Sequence, residues 1–378
     1  MSELNQPLYQ MIYNYLIENI KSGKYTDGDR VPSEKELAEE FGVSRITSKK
    51  ALEMLAENGY IKRMPGKGSF VVGNVEREAG TGINSSSTRI RPLLIGVVIS
   101  DFDVSYGAGL LSGIEKEATE NGCFIIPRRS CGRQDCEEQA IEDLLDMGVD
   151  GILVMPVHGE NYNHKILKMV LDKFPFVLID RYLKGIGVSF VGSDNVAASK
   201  KACDYLLDIG HKNISFLSPP YVDTSTIEDR IEGFIKSHSE HGMIIDESIW
   251  LTDLTCTMPG KNSQENILSD IEKIKLLLEN NKQITCLFAA EYNIALLAME
   301  AIKSLGLKVP HDVSVLCFDG PKNYIGEYFF THIRQREEEM GATAVKLLLK
   351  QMLEKEEPGI KKFLDTDLVI GASTKENK

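Results

Sequence analysis

Residues 29–52 encode two short helices around one tight turn, and the second helix presents a cationic face. Ser33 and Glu36, three residues apart, form a capping box that begins the first helix, and Gly42 supplies the residue where that helix ends. Arg45 and Lys49 lie four residues apart, so both project from one side of the second helix. The apolar residues that would pack the two helices together are Leu37, Ala38, Phe41, Ala51, Leu52 and Leu55. This pattern predicts a helix-turn-helix whose second helix enters the major groove of DNA.

A β-hairpin is predicted directly after these helices. Residues 59–63 and 69–72 have the composition of two short strands, and the glycine-rich turn between them carries Gly66 and Lys67. Such a turn lets the backbone come close to phosphate and directs one positive charge toward the minor groove. Helix, helix and hairpin in this order predict a winged DNA-binding module.

The segment 4–72 resembles the GntR-type winged helix. The matching stretches are residues 7–9, 28–34, 43–47 and 66–71. The resemblance implies DNA contacts at Arg45, Thr47, Lys49 and Gly66, and it places Glu34 in the signature of the first of the two helices. The family usually has Arg where Lys49 stands and Val where Ser48 stands. Because lysine is a point charge and not a planar fork, this difference puts bidentate recognition of guanine by Lys49 in question. The full set of candidate DNA-binding residues is Ser33, Glu34, Ser44, Arg45, Thr47, Lys49, Lys50, Gly66 and Lys67.

Charge is distributed unevenly along the chain. The full sequence has a formal net charge of -13, whereas residues 1–73 hold 10 basic and 10 acidic side chains. Within residues 44–68 there are six basic side chains and two acidic ones. A basic face on a small head and an acidic remainder favour binding of DNA by one defined surface and oppose indiscriminate adhesion.

The length of 378 residues and the 42% hydrophobic content suffice for more than one packed core, so two domains are expected, one of them small. The longest aliphatic stretch, residues 93–99, falls far short of the roughly 20 residues that span a bilayer. With no apolar signal segment either, a cytoplasmic location without membrane association is expected. Seven scattered cysteines, Cys131 and Cys136 among them, predict buried thiols, and neither metal nor other cofactor is expected.

Residues 74–91 are polar, rich in Gly, Ser and Thr, and without periodicity, which predicts a flexible linker after a head of residues 1–73. Over residues 92–378 short apolar runs alternate with stretches of helical period. The runs cover residues 93–99, 124–126, 151–155, 176–179, 214–217, 287–289 and 313–318. Apolar runs that alternate with helices predict parallel sheets covered by helices on both faces.

Polar and aromatic residues follow these predicted strands, where ligands of open parallel sheets bind. They occupy positions 101–106, 180–181, 291–293 and 319. Carboxylates, amides and arginine beside aromatic rings can bind polyols, because each hydroxyl can both donate and accept a hydrogen bond. Asp and Asn after strands are also ordinary turn formers and helix caps, and that alternative stays open for each of them.

Residues 93–374 resemble the LacI/GalR effector domain, a periplasmic-binding-protein-like fold of two lobes. The motifs that carry the resemblance are residues 95–99, 148–154, 176–181, 191–195, 206–216, 230–234, 309–319, 333–336 and 368–373. The resemblance implies main effector contacts at Arg230 and Asp319. Glu291 and Tyr292 stand where an Asn-Asp pair is usual, and Gly320 where Asp is frequent, so the identity of the effector stays open. The candidate effector-binding residues are Asp101, Tyr106, Arg181, Arg230, Glu291, Tyr292 and Asp319.

A winged helix joined to such a domain is similar to the arabinose-repressor type within the GntR family. The expected fold is an α+β winged helix-turn-helix followed by a two-lobed α/β periplasmic-binding-protein-like domain with parallel sheets. The resemblance implies a homodimeric transcriptional repressor that binds double-stranded operator DNA. A small carbohydrate, with pentoses such as arabinose among the candidates, would bind between the lobes and change the spacing of the DNA-binding heads.

Two alternatives remain, since fold does not determine function: a sugar-metabolising α/β enzyme with a fused DNA-binding head, and a regulator of a non-sugar effector. Gly107, Gly109 and Gly113 lack the spacing of a dinucleotide site and are interpreted as small residues on a helix that faces the sheet. No nucleophile elbow, Walker A loop or zinc-protease motif occurs in the sequence, so catalysis is not expected. His238 and His241 are interpreted as a solvated helix end and not as metal ligands.

Overall fold

The computed structural model describes residues 8–57, 59–64, 67–72, 91–101, 106–157, 163–220, 224–321, 328–354 and 358–377. The chain divides into two compact units, Met1–Pro92 and Leu93–Lys378. Residues 74–90 of the predicted linker lie outside the described residues, and the boundaries proposed for head, linker and effector domain stay predictions.

The first unit is a small helical domain with a three-stranded antiparallel sheet. Its elements are α1 (Leu8–Lys21), β1 (Arg30–Val31), α2 (Glu34–Phe41), α3 (Arg45–Glu57), β2 (Ile61–Met64) and β3 (Gly68–Val71). β3 lies between β1 and β2 in the sheet. Its core combines residues from all three helices and the hairpin, including Leu16, Leu37, Leu52 and Ile61. The predicted helix pair and hairpin are confirmed, whereas β1 was not predicted because two residues carry no periodicity.

The second unit contains two lobes, each with its own sheet. Its elements are β4 (Leu93–Ile99), α4 (Ala108–Glu120), β5 (Cys123–Arg129), α5 (Gln134–Asp146), β6 (Gly151–Val154), α6 (His164–Leu171), β7 (Phe176–Ile179), β8 (Ser189–Ser193), α7 (Asn195–Asp208), β9 (Ile214–Leu217), α8 (Ser225–Glu240), α9 (Gln264–Asn280), β10 (Cys286–Ala289), α10 (Tyr292–Ser304), β11 (Ser314–Phe318), β12 (Thr331–Arg334), α11 (Glu337–Leu353), β13 (Lys361–Leu364) and β14 (Asp367–Val369). A single 3₁₀ turn, Glu247–Ile249, precedes α9.

The sheet of the first lobe has the strand order β13-β8-β7-β6-β4-β5, and every pair is parallel. Along β4, Ile95 and Val97 enter one apolar cluster while Val98 enters another, so the strand is covered on both faces. Burial on both faces explains why the sequence of β4 is a continuous apolar run.

The sheet of the second lobe has the order β14-β12-β11-β10-β9. Its strands pair in parallel except that β14 is antiparallel to β12. The predicted parallel sheets are therefore confirmed, with one antiparallel edge strand as a correction. The sequence did not predict β8, β12, β13 or β14, because each is short or polar and is defined by its neighbour in the sheet.

The chain crosses between the lobes three times: from β8 to α7, from β12 to α11, and from β13 to β14. The lobes also meet away from these crossings. Gly132, in the loop after β5, lies against Pro259 of the second lobe, so close that a Cβ at Gly132 would be 2.0 Å from the proline Cγ.

The structure corrects the interpretation of the glycines in α4. A Cβ at Gly113 would lie 2.1 Å from the carbonyl oxygen of Glu338, and one at Gly109 would lie 3.0 Å from the Glu337 side chain. These glycines therefore let α4 approach α11, a second helix, and do not face the sheet.

Two further interpretations were wrong in part. Cys131 is exposed and Cys136 is half-buried, although the remaining five cysteines are buried as predicted. His238 is buried, with Nδ1 3.0 Å from the carbonyl oxygen of Phe234, so it belongs to the packing between α7 and α8 and not to a solvated helix end.

None of the described helices is both long enough and apolar enough to cross a membrane. Among the described residues there is also no group of three or more His, Cys, Asp or Glu side chains arranged to hold a metal ion.

Candidate functional site

The turn between α2 and α3 is built by local capping interactions. The Ser33 side chain accepts from the Glu36 backbone N–H at 3.3 Å, and the Glu36 carboxylate accepts from the Ser33 N–H at 2.7 Å. Gly42 ends α2 with a left-handed φ of 62°. Ser44 Oγ then accepts from the Thr47 N–H at 3.2 Å, which caps the first turn of α3. The predicted capping box, glycine stop and serine cap are confirmed.

The exposed face of α3 carries Arg45 and Lys49, as predicted. Lys49 Nζ lies 3.6 Å from the Glu53 carboxylate, a contact between largely exposed groups that salt would screen. Ile46 lies between these basic residues with 79% of its surface exposed. Exposed apolar side chains on a helix that enters the major groove can contact thymine methyl groups, and the sequence reasoning did not select Ile46 as a candidate. Lys50 is placed differently, with Nζ 4.2 Å from the centre of the Tyr9 ring of α1.

Glu34 is tied to the hairpin and is not a free carboxylate. It forms an ion pair with Arg63 of β2, and Arg63 also lies 3.5 Å from Glu53 of α3. Ser48 is fully buried, and its hydroxyl donates to the Glu34 carbonyl oxygen at 2.7 Å. Ser48 therefore joins α3 to α2, which explains why a small polar residue fits there.

The tip of the hairpin is described in part. Lys67 is exposed, and its N–H donates to the Met64 carbonyl oxygen at 3.0 Å. Gly66 lies outside the described residues, so its predicted contact with DNA stays a prediction.

A cleft of about 200 Å³ lies between the two lobes of the second unit. All seven residues predicted from the sequence to bind an effector line it: Asp101, Tyr106, Arg181, Arg230, Glu291, Tyr292 and Asp319. The other lining residues are Ser100, Met155, Asp180, Thr226, Ile227, Asn293 and Gln335. The structure thus brings the seven together in one cavity, although they are spread over more than 200 positions of the chain.

Each lobe contributes an aspartate in the same local setting. Asp180 follows β7 and Asp319 follows β11, and both have left-handed backbones, with φ of 66° and 63°. The N–H of each donates to the neighbouring strand, at Val191 and at Ile333, both at 2.8 Å. Aspartate tolerates this conformation better than most residues. The two strand ends therefore present carboxylates to the cleft from opposite lobes.

Arg230 is buried on α8 and is held in place from three sides. Its guanidinium lies 3.9 Å from the centre of the Phe318 ring. Nε donates to the Asn195 side-chain oxygen at 2.8 Å, and Nη1 donates to the Ala290 carbonyl oxygen at 2.6 Å. Such contacts fix the orientation of the charged group before any ligand arrives.

Asp319 is partly open to the cleft, and its two carboxylate oxygens accept from Gln335 Nε2 at 3.0 and 3.1 Å. Burial raises the pKa of Asp319 to about 7, against the lowering effects of Arg230 and Gln335. Gln335 in turn accepts from Ser193 Oγ at 2.6 Å. Ser193 lies at the crossing from β8 to α7, and Gln335 lies at the crossing from β12 to α11. The Asp319 carboxylate is therefore linked by hydrogen bonds to two of the three crossings.

Burial also raises the pKa of Glu291, again against a nearby arginine, Arg230. The Tyr106 hydroxyl donates to Asp180 at 2.6 Å, and burial together with this carboxylate raises the tyrosine pKa. With its pKa raised, the Tyr106 hydroxyl stays protonated at neutral pH, so the cleft combines a hydroxyl with carboxylate acceptors.

Arg181 and Asp101 complete the first-lobe side of the cleft. Arg181 Nη1 donates to the Pro156 carbonyl oxygen at 3.0 Å, and Nε lies 3.5 Å from the Asp180 carboxylate. Asp101 is exposed at the rim and lies 3.2 Å from Arg129. The sequence reasoning named Asp180 among the polar residues after strands but did not choose it, and it missed Asn195 and Gln335, whose positions depend on the crossings.

Two family models match the chain. Residues 8–71 match the model described as bacterial regulatory proteins, gntR family, and residues 203–374 match the periplasmic binding protein-like domain. The chain combines a gntR-type DNA-binding domain with a periplasmic binding protein-like domain. It is a transcriptional regulator.

Two relatives align over most or all of their length and of this chain. The arabinose metabolism transcriptional repressor of Geobacillus stearothermophilus is 26% identical over 392 residues, which covers 100% of both chains. That of Halalkalibacterium halodurans is 27% identical over 346 residues, 89% of this chain and 88% of the relative. The structure of a LacI family regulator from Enterococcus faecium with bound ribose is 24% identical, covers 75% of this chain and 100% of that chain, and has a TM-score of 0.61. This last similarity supports the fold alone.

Proposed function

We propose that this regulator is a repressor that binds operator DNA through α3 and the hairpin as a homodimer, and that a small neutral carbohydrate in the cleft releases it. The observation that carries the proposal is the cleft itself. Its lining combines a fixed arginine, carboxyl groups from both lobes and tyrosine rings, which is the chemistry that recognises hydroxyl groups.

The size and charge of the cleft favour a monosaccharide. Its volume of about 200 Å³ is smaller than the roughly 300–1,000 Å³ usual for drug-sized ligands. Four carboxyl side chains line it, those of Asp101, Asp180, Glu291 and Asp319, against two arginines. This excess of acidic groups disfavours phosphorylated effectors, which require a positive surplus. The names of the two arabinose repressors make arabinose the first sugar to test.

The basic, exposed face of α3 supports sequence-specific binding to double-stranded DNA. Two copies of the chain would place two such helices on the half-sites of a palindromic operator. In this scheme DNA and sugar bind to two different conformations of the regulator, and the coupling free energy between the two ligands is about 1–3 kcal/mol.

The test has two steps. A thermal-shift screen of monosaccharides identifies the sugar, since a ligand at a hundred times its Kd adds about 2.7 kcal/mol of stability. Fluorescence anisotropy with labelled operator DNA then measures binding with and without that sugar. We expect release at sugar concentrations near the Kd. A sugar that binds tightly but leaves operator affinity unchanged would contradict the proposal.

We propose further that the chain does not convert its ligand. The polar groups of the cleft suit the binding of hydroxyls, and Arg230, Asp319 and Tyr106 are each already hydrogen-bonded to other residues of the protein. Incubation of the protein with any sugar that binds, followed by mass spectrometry of the sugar, should return it unchanged. Protein-dependent product at more than trace rates would favour the enzyme alternative.

A further inference from the structure

The loop between β7 and β8, residues 180–188 of the first lobe, reaches across to the first turns of α8 in the second lobe. Tyr182 makes two contacts there: its hydroxyl donates to the Asp229 carboxylate at 2.9 Å, and its N–H donates to Ser225 Oγ at 3.3 Å. Lys184 forms an ion pair with Glu228 beside them. Three contacts thus join one short loop to one helical turn of the other lobe.

Tyr182 is held firmly on its own lobe. Its ring packs edge-on against Phe190 of β8, with ring centres 5.5 Å apart, and Lys361 of β13 lies 5.5 Å from its centre. The hydroxyl is therefore presented by a fixed ring and not by a mobile side chain, which lowers the entropy lost when it bonds to Asp229.

The two polar pairs differ in how much they can contribute. The Lys184 side chain is 63% exposed, so its ion pair with Glu228 is screened by water and salt. Tyr182 and Asp229 are half-buried, and a hydrogen bond to a charged acceptor away from bulk water is the stronger kind. The Tyr182–Asp229 bond therefore dominates the contact.

This contact lies one residue from the cleft. Asp229 immediately precedes Arg230, and Thr226 and Ile227 of the same helix line the cavity. Whatever holds the first turns of α8 against the first lobe also sets the position of the Arg230 guanidinium relative to Asp180 and Arg181. Tyr182 itself is not among the lining residues.

We propose that Tyr182 is a positioning residue for effector binding: through Asp229 it holds α8, and with it Arg230, against the first lobe. This inference rests on the proposed function of the cleft. Its consequence is that effector affinity depends on a residue outside the cavity, because closed arrangements of the lobes are populated less when the contact is removed.

Hydrogen–deuterium exchange on the full chain without sugar tests the contact directly. Tyr182→Phe removes only the hydroxyl. We expect exchange in the first turns of α8 to accelerate about two- to tenfold, the effect of losing one such hydrogen bond. Tyr205→Phe is the matched control, because the Tyr205 hydroxyl lies 3.0 Å from Thr374 Oγ1 within the second lobe. Unchanged exchange in Tyr182→Phe, or equal acceleration in both variants, would overturn the proposal.

Titration with arabinose then tests the effect on binding. We expect Tyr182→Phe and Asp229→Ala each to weaken affinity about two- to tenfold, and the double variant to be no weaker than either single one, because the first removes the donor and the second the acceptor of the same bond. Additive losses would overturn the proposal, and Asp229→Ala keeps the test available if Tyr182→Phe folds poorly. If the wild type binds no arabinose, the sugar assignment fails while the exchange result still decides the contact.

Discussion

Gly132→Ala should act as a wedge between the two lobes. A Cβ at Gly132 would lie 2.0 Å from Cγ and 2.5 Å from Cβ of Pro259, whereas carbon atoms in ordinary contact are about 3.5–4.0 Å apart. The two loops would therefore have to separate by about 1.5–2 Å to accept one methyl group. Both atoms belong to a rigid proline ring, so no flexible side chain can move aside.

Backbone strain has to be separated from this steric effect. Gly132 has a φ of 64°, and alanine in that conformation costs about 1–2 kcal/mol. Gly122, at the other end of β5, has a φ of 67° and no atom within 4 Å of an added Cβ. Gly122→Ala therefore has the same strain without the wedge and serves as the matched control.

The wedge should appear as a loss of effector affinity. Overpacking by a methyl group typically costs about 1–3 kcal/mol, and here that cost falls on the arrangement in which the lobes touch. The apparent Kd for the sugar should then rise about 5- to 150-fold in Gly132→Ala relative to Gly122→Ala.

Isothermal titration calorimetry of wild type and both variants measures this ratio, and melting curves verify that the two variants lose similar stability. Equal sugar affinities in the two alanine variants would refute the reasoning, because they would mean that the cleft binds without contact between these loops.

Four further substitutions test the two sites. Arg45→Ala should abolish operator binding without changing the melting temperature, and Ile46→Ala should weaken operator binding by roughly 1–2 kcal/mol, because both side chains are exposed on α3. Gel-shift titration measures both affinities. Wild-type affinity in Arg45→Ala would exclude α3 as the recognition helix. The Arg230→Ala variant should bind operator normally yet fail to release it with sugar, since loss of a buried charged partner costs about 2–5 kcal/mol of ligand affinity. Simultaneous loss of stability and of DNA binding would instead indicate that Arg230 has a packing role. Asp319→Asn should change the pH dependence of unfolding, because folding raises the pKa of this carboxyl from 3.8 to about 7. In the wild type the contribution of Asp319 to the free energy of unfolding is complete below about pH 4. It is lost as the pH rises toward 7, by up to about 1.4 kcal/mol per pH unit. Denaturant unfolding from pH 4 to 8 should show that the asparagine variant lacks this slope, and parallel curves would contradict the raised pKa of Asp319.

Features that depend on neighbours in sequence could be predicted without a structure. The capping box of Ser33 and Glu36, the end of α2 at Gly42 and the shared face of Arg45 and Lys49 all lie within one or two helical turns, so their spacing alone determines them. The strands buried on both faces were equally visible, because burial requires a continuous apolar run.

Most of the cleft could also be predicted, for a related reason. Parallel strands end at the same edge of a sheet, so the strand pattern places Arg181 with the other polar residues at one edge of the first-lobe sheet, and Glu291 with those at one edge of the second-lobe sheet. That the two edges face each other across one cleft follows from the packing of the lobes. Arg230 is different, since it lies on a helix and was named only through the resemblance to a family.

Contacts between distant segments were decided by the tertiary structure alone. Gln335 bonds to Ser193, 142 positions earlier in the chain, and Tyr182 bonds to Asp229 of the other lobe, outside the cleft. The edge strands β13 and β14 are short and partly exposed, and a neighbouring strand supplies their hydrogen bonds. Such contacts have no periodicity and no local partner, since they arise from the packing of the two lobes and from strand pairing within each sheet. The sequence therefore indicated which residues meet a ligand, and the packing of the two lobes determined which residues hold them in place.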